Sequence, residues 1–383
     1  MRRHTDASAL PVSGWRGNIE GMGGPSWPVR FSLSRNIIID SSPTIRGSSM
    51  QRRGFMAVVA GFLAGAHAAG LRTASAQQDD KVRRIGVLMG LSESDPVFRD
   101  FVSTFVQELA RLRWLDGRNV RIEQRWTNAD VNRAGSLAKE LVGTQPDVIL
   151  ASTTPATAAL KRESSTVPIV FTIVSDPVGM GFVASLPHPG GNITGFTHTD
   201  AGLGGKSLGL LKEIAPGIKR AGIIFNPDTA SGGGKFFLDS FAVAANALAV
   251  ESVALPVRSD AEIEAAVAGL GREQAALAAM DDSFNAVHKG TIISSSVRNK
   301  VPAIFAESGF VKEGALISYG ADLRDLFARA AGYVDRILRG EKPSNLPVQT
   351  PTKFNTAINL KTAKALALAV PPSLLAIADE VIE

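Results

Sequence analysis

The chain has 383 residues, 45% of them hydrophobic and 20% charged, enough for two domains with separate cores. Its formal charge of +5 is uneven: residues 1–76 hold nine of the 41 Lys and Arg but three of the 36 Asp and Glu, leaving 32 basic and 33 acidic side chains in 77–383. A body so close to neutral argues against general phosphate-backbone binding, so no nucleic-acid partner is expected. The lack of cysteine excludes disulfides, thiolate metal sites and a Cys nucleophile, and suits folding in an oxidising compartment.

Residues 1–49 are rich in Gly, Ser, Pro and Arg without helical or strand period; they are expected to be an upstream extension, disordered, with Met50 as the start. Residues 50–76 read as a signal peptide: basic Met50-Gln51-Arg52-Arg53, an apolar run from Phe55 to Ala66, then Ala74-Ser75-Ala76 as a small-x-small cleavage site. The run is shorter than the ~20 residues of a bilayer span, so no stable membrane insertion is expected after cleavage. Arg52-Arg53-Gly54-Phe55-Met56 resembles a twin-arginine motif, and an ordinary Sec signal remains the alternative. Either route predicts a periplasmic protein.

From Lys81 the chain alternates apolar strand, turn and amphipathic helix. Strands are predicted at Ile85–Met89, Val120–Trp126, Val148–Ala151, Ile169–Val174 and Ile193–Thr197, with helices between. Phe98, Phe101, Val102, Phe105, Val106, Leu109 and Leu112 recur at helical spacing. A second series follows: strands at Ala221–Phe225, Ser252–Val257, Ala276–Met280 and Ala303–Phe305, with helices at 235–248, near 260–270 and at 284–298. Ala315–Tyr319 is predicted as a strand and Leu323–Leu338 as a helix, and 342–352 is broken by prolines. Alternation implies parallel sheets with right-handed crossovers. The expected fold class is α/β, with two doubly wound parallel-sheet lobes joined by a multi-crossing hinge. Lobe 1 is expected at 82–197 plus 317–345, and lobe 2 at 198–316 plus 346–383.

Catalytic signatures are sparse. His188, His198 and His288 are far apart in the sequence, with no metal spacing on a helix. There is no Gly-x-Ser-x-Gly elbow and no Gly-x-Gly-x-x-Gly after the first strand. Asp200-Ala201-Gly202-Leu203-Gly204-Gly205-Lys206-Ser207 misses the phosphate loop because Asp200 stands where that loop needs glycine. No cofactor and no metal are expected. Polar residues do gather after the strands: Ser92, then Ser152, Thr153 and Thr154, then Ser175 and Asp176, and in the second series Asn226, Asp282 and Glu307. Ligands of open α/β sheets bind there, but Ser, Thr, Asn and Asp are also the usual helix caps; both readings stay open for each residue.

Val167-Pro168-Ile169-Val170-Phe171-Thr172, Ser175-Asp176-Pro177-Val178-Gly179, Pro189-Gly190-Gly191-Asn192-Ile193-Thr194-Gly195, Gly314-Ala315-Leu316-Ile317-Ser318-Tyr319-Gly320 and Ile358-Asn359-Leu360-Lys361-Thr362-Ala363-Lys364-Ala365-Leu366 carry a resemblance. They are similar to the ABC transporter substrate-binding family that includes tryptophan-binding-like lipoproteins. The resemblance implies a type I periplasmic binding fold, a small-molecule ligand in an inter-lobe cleft (an amino acid or related metabolite), and permease and ATPase partners of an importer. By analogy Ser152, Thr153 and Thr154 meet a ligand carboxylate, Ser175 and Asp176 assist, and Asn226, Asp282 and Glu307 close from the other lobe, with Phe284 and Tyr319 as further contacts. A monomer is expected. A periplasmic sensor subunit is the alternative role, and a two-lobed α/β enzyme a more distant one.

Overall fold

The computed structural model describes residues 82–200 and 202–383; the segments read as an upstream extension and a signal peptide lie outside the described residues. Among the described residues no helix is long and apolar enough to cross a membrane. The first lobe carries β1 (Arg83–Met89), α1 (Pro96–Arg111), β2 (Val120–Trp126), α2 (Val131–Gly143), β3 (Val148–Ser152), α3 (Thr154–Glu163), β4 (Ile169–Val174) and β5 (Ile193–Thr197). Its five strands lie in the order β2-β1-β3-β4-β5 and all run parallel. β3, β4 and β5 are buried along their whole length, which is why they read as unbroken apolar runs.

The second lobe contains α4 (Leu203–Ile214), β6 (Arg220–Phe225), α5 (Lys235–Ala247), β7 (Glu251–Pro256), α6 (Asp260–Arg272), β8 (Ala276–Ala279), α7 (Ser283–Val287), α8 (Lys289–Arg298), β9 (Ala303–Phe305), α9 (Gly309–Lys312) and β10 (Ile317–Ala321). After α10 (Leu323–Leu338) come β11 (Phe354–Asn359), α11 (Leu360–Ala365), α12 (Pro372–Ile377) and β12 (Glu380–Ile382). The sheet runs β12-β11-β10-β9-β8-β6-β7. Its β10–β11 pair is antiparallel, because β10 leads towards the first lobe and β11 returns from it. The helix expected at 284–298 is broken at His288, whose ring stacks on Phe284 at 4.1 Å and whose Nδ1 lies 2.8 Å from Asp260.

Three stretches of chain join the lobes, after β5, at Asp322 and after Gln349. Two expected boundaries move. Residues 317–321 pair with β9 and β11 in the second sheet, so the crossing to the first lobe begins only at Asp322, the cap of α10. Residues 346–349 stay with the first lobe: the Val348 N–H donates to Leu186 O at 2.7 Å, the Gln349 N–H to Gly195 O at 2.9 Å, and the Thr197 N–H to Gln349 O at 2.9 Å. Periodicity marks Ile317–Ala321 as a strand but carries no information about which sheet it joins.

Asp95 caps α1, accepting the Val97 N–H at 2.9 Å ahead of Pro96. Phe98, Phe101, Val102, Phe105 and Leu109 of that helix are buried, and so are Leu326, Phe327, Ala330 and Val334 of α10. The two helices meet on one face of the first sheet, with Phe101 stacked on Phe327 at 5.4 Å between ring centroids. Each large apolar side chain so buried contributes about 1.5–3 kcal/mol. The same apolar cluster continues into Phe305, Phe310 and Ile292 of the second lobe. The lobes are therefore in apolar contact, with Phe98 edge-on to Phe310 at 6.5 Å.

Candidate functional site

A cavity lies between the carboxyl ends of the two sheets. Its walls bound about 630 Å³, including the part that opens to solvent. On the first lobe, β3 ends at Ser152 and α3 begins at Thr154, with Pro155 behind it in the first turn. Between them Thr153 adopts φ 88° and ψ 155°, a region that is essentially glycine's. Among the described non-glycine residues with positive φ, Thr153 and Ile173 are the two that are β-branched, and both line the cavity. Ile173 sits where the β4–β5 register breaks between Phe171 and Val174. Such backbone costs about 1–3 kcal/mol per residue, so the fold holds both side chains in place against their own preference. Gly90 makes room for the first: a Cβ there would stand 1.9 Å from Thr153 Oγ1 and 2.7 Å from Ser152 O. Thr153 is 3% exposed and its hydroxyl has no hydrogen-bond partner.

The opposite wall grows from β8 and β9. The Met280-Asp281-Asp282-Ser283 turn follows β8, and Asp282 caps α7 by accepting the Asn285 N–H at 2.9 Å. Asp282 also accepts the Asn226 N–H at 3.2 Å and the Thr229 hydroxyl at 3.0 Å. Burial pushes its carboxyl up to about 7 against those three bonds, and the charge of Asp281 adds to the rise. Glu307 follows β9, its Oε1 accepting the Gly309 N–H at 3.0 Å. Burial raises it to about 7, opposed by the Gly309 N–H and reinforced by Asp281 and Asp322. Glu307 keeps some accessible surface because a second groove, beside α1, also borders it. The surrounding protein, more than that surface, sets its proton affinity. Gly320 of β10 lets the strand close on Ala306, since a Cβ there would lie 2.0 Å from Ala306 O.

His198, on the first crossing, is 1% exposed. Its Nε2 is 2.9 Å from Asp281 Oδ2, but the pair is off the line of a well-formed hydrogen bond. Across the cleft Thr154 Oγ1 and Ser231 Oγ are 3.1 Å apart. Phe98, Phe305 and Phe310 supply the apolar side. Among the described residues no Lys or Arg lines the cavity, and no group of His, Asp and Glu is arranged to hold a metal ion.

Of the residues singled out in the sequence, the structure brings Thr153, Thr154, Ser175, Asp282 and Glu307 to the cavity wall. Ser152 is fully buried next to it, with an unpartnered hydroxyl. The others fall elsewhere. Ser92 bonds Ser94 at 2.9 Å in a shallow outer groove. Asp176 turns back to accept the Gly179 N–H at 2.8 Å. Asn226 accepts the Asp228 N–H at 2.8 Å and shapes the loop that holds Asp282. Phe284 packs in the core. Tyr319 stacks on Phe354 at 5.7 Å, with Lys206 over both rings. The sequence reading missed His198, Asp281, Ser231 and the phenylalanines. His198 directly follows β5, a position equivalent to that of the hydroxyls after β3 and β4, and this was the available signal.

A pair of α/β lobes on three crossings, with a shared cavity beyond the carboxyl ends of both sheets, defines a clamp-type solute-binding protein of the type I periplasmic fold. The chain belongs to the ABC transporter substrate binding protein family, whose model matches residues 85–382. It is 30% identical over 265 residues to a tyrosine-binding protein of Clostridioides difficile, covering 68% of this chain and 75% of that one. A domain from Streptococcus pneumonia solved in complex with L-Trp superimposes with a TM-score of 0.72 at 26% identity, over 78% of this chain and 99% of that one. The ligand-free, open structure of a substrate binding protein with adhesive properties from Clostridium difficile gives a TM-score of 0.58 at 27% identity, over 79% and 99%.

Proposed function

We propose that this protein is exported, captures an α-amino acid with an apolar or aromatic side chain, and presents the closed clamp to the permease and ATPase of an importer. One observation carries the ligand class: the cavity is polar at two opposed places and apolar between them. On the first lobe the N-terminus of α3 carries Thr153, whose buried hydroxyl lacks a partner. A carboxylate placed there gains N–H groups and hydroxyls. On the second lobe Asp281 and Glu307 form an acidic pair close enough to raise Glu307; an ammonium placed between them relieves that repulsion. The rings of Phe98, Phe305 and Phe310 then meet the side chain. The names of two relatives, one binding tyrosine and one solved with L-Trp, support the aromatic end of the class. The relatives' roles favour capture over catalysis, and the leader pattern of 50–76 favours a periplasmic location.

The test is a thermal-shift screen of the amino acids followed by calorimetry, since a ligand held only by the native state raises the melting temperature. L-tryptophan or L-tyrosine is expected to bind, while tryptamine and indole-3-propionate, each lacking one charged end, bind at least tenfold more weakly. If no amino acid shifts the melting temperature, the reading fails.

A further inference from the structure

Among the described residues, Lys289 is the only buried Lys or Arg, 7% exposed as a whole residue. It opens α8 in the second lobe, a helix end that favours negative charge, so helix propensity does not account for it. Its ammonium has two carboxylate partners at 2.5 Å. Glu313 belongs to the same lobe, whereas Asp95 lies across the cleft at the start of α1. The ammonium also sits over two rings that line the cavity, 5.4 Å from the centre of Phe98 and 4.6 Å from that of Phe310. These rings come from opposite lobes. Every contact with Asp95 and Phe98 exists only while the lobes are together; every contact with Glu313 and Phe310 survives their separation.

We infer that Lys289 is the latch of the clamp, a positioning residue whose cross-cleft pair with Asp95 sets how much of the protein is closed and hence how tightly the solute is held. This rests on the capture reading above for its consequence but not for its test. Apparent affinity scales with the closed fraction. A pair with side chains only 9% and 12% exposed is little screened by salt. Separation leaves Lys289 with Glu313, a contact common to both states, so the pair with Asp95 is the one that distinguishes closed from open.

The chain has no cysteine, so closure can be read without any ligand. Thr154→Cys and Ser231→Cys together place two thiols where hydroxyls now lie 3.1 Å apart across the cleft. Their rate of disulfide formation under a mild oxidant reports the closed population. Adding Asp95→Asn, which keeps an equally good helix cap, is expected to slow cross-linking roughly tenfold. Adding Glu313→Gln is expected to leave the rate unchanged or raise it. In a Lys289→Met background Asp95→Asn is expected to have no further effect. Melting temperatures of all variants establish that each is folded. In the cysteine-free protein, L-tryptophan affinity is expected to fall with Asp95→Asn by the same factor as the rate. Equal cross-linking with and without Asp95→Asn, or an equal slowing by Glu313→Gln, overturns the latch. Failure of the wild-type protein to bind any amino acid sinks the capture reading instead and leaves the cross-linking result to decide the latch.

Discussion

Replacing Glu307 by glutamine keeps the size of the side chain and removes its charge. The native carboxyl titrates near 7 and its ordinary value is 4.5, so the folded state holds the proton more tightly than the unfolded chain. Stability is therefore untouched below about pH 4.5, falls between about pH 4.5 and 7 as the unfolded chain ionises first, and levels off above. The difference from 4.5 to about 7, at about 1.4 kcal/mol per pH unit, is on the order of 3 kcal/mol. Solvent in the groove beside α1 lowers the expected effect to about 1–2 kcal/mol. Glu307→Gln should then raise the melting temperature at pH 8 by about 2–5 °C and leave it unchanged at pH 4.5. At pH 8 the same variant should bind the amino acid about tenfold more weakly or worse, because a fixed counter-charge has gone. Differential scanning fluorimetry across pH and calorimetry at pH 8 read the two effects. A variant no more stable at pH 8, or one that binds as tightly as the parent, refutes the placement of a buried anionic partner at 307.

Gly90→Ala should drive Thr153 from its place, destabilising the protein by about 1–3 kcal/mol in urea unfolding and lowering ligand affinity. Thr153→Gly should do the reverse to stability, raising it by up to about 1 kcal/mol through release of backbone strain, yet also weaken binding because the hydroxyl is lost. Asp281→Asn should weaken binding in calorimetry and make the Glu307-dependent loss of stability smaller and complete at a lower pH, with its onset unchanged, since Asp281 helps to raise Glu307 in the folded state. Asp176→Asn should leave the dissociation constant unchanged within twofold, as that carboxylate serves its own turn; a tenfold loss would return it to the site.

The strands and helices were legible because buried parallel strands and amphipathic helices write their period into the chain. Ile169–Val174 and Leu323–Leu338 needed no tertiary knowledge. Sheet membership was not legible: Ile317–Ala321 looks the same whichever lobe it joins. The site was half legible for a related reason. A polar residue after a strand can face a ligand or bond its own loop, and the choice depends on torsions set by packing. Asp176 and Asn226 bond their own loops, and Asp282 does so while also facing the cavity. Glu307 and Thr153 reach the cavity because Gly320 and Gly90 allow a close approach that no local pattern announces. His198 and Asp281, far apart in sequence, become neighbours only through the first crossing.

The Asp322 crossing makes α10 a late arrival. The helix that covers Phe98, Phe101 and Phe105 is made only after the whole first sheet and five of the other lobe's strands, β6 to β10, have been synthesised. A nascent chain halted before Asp322 therefore presents a completed sheet with one greasy side only half covered, by α1, a surface suited to chaperone capture. Maturation of the amino-terminal half thus waits on synthesis of the carboxyl-terminal one.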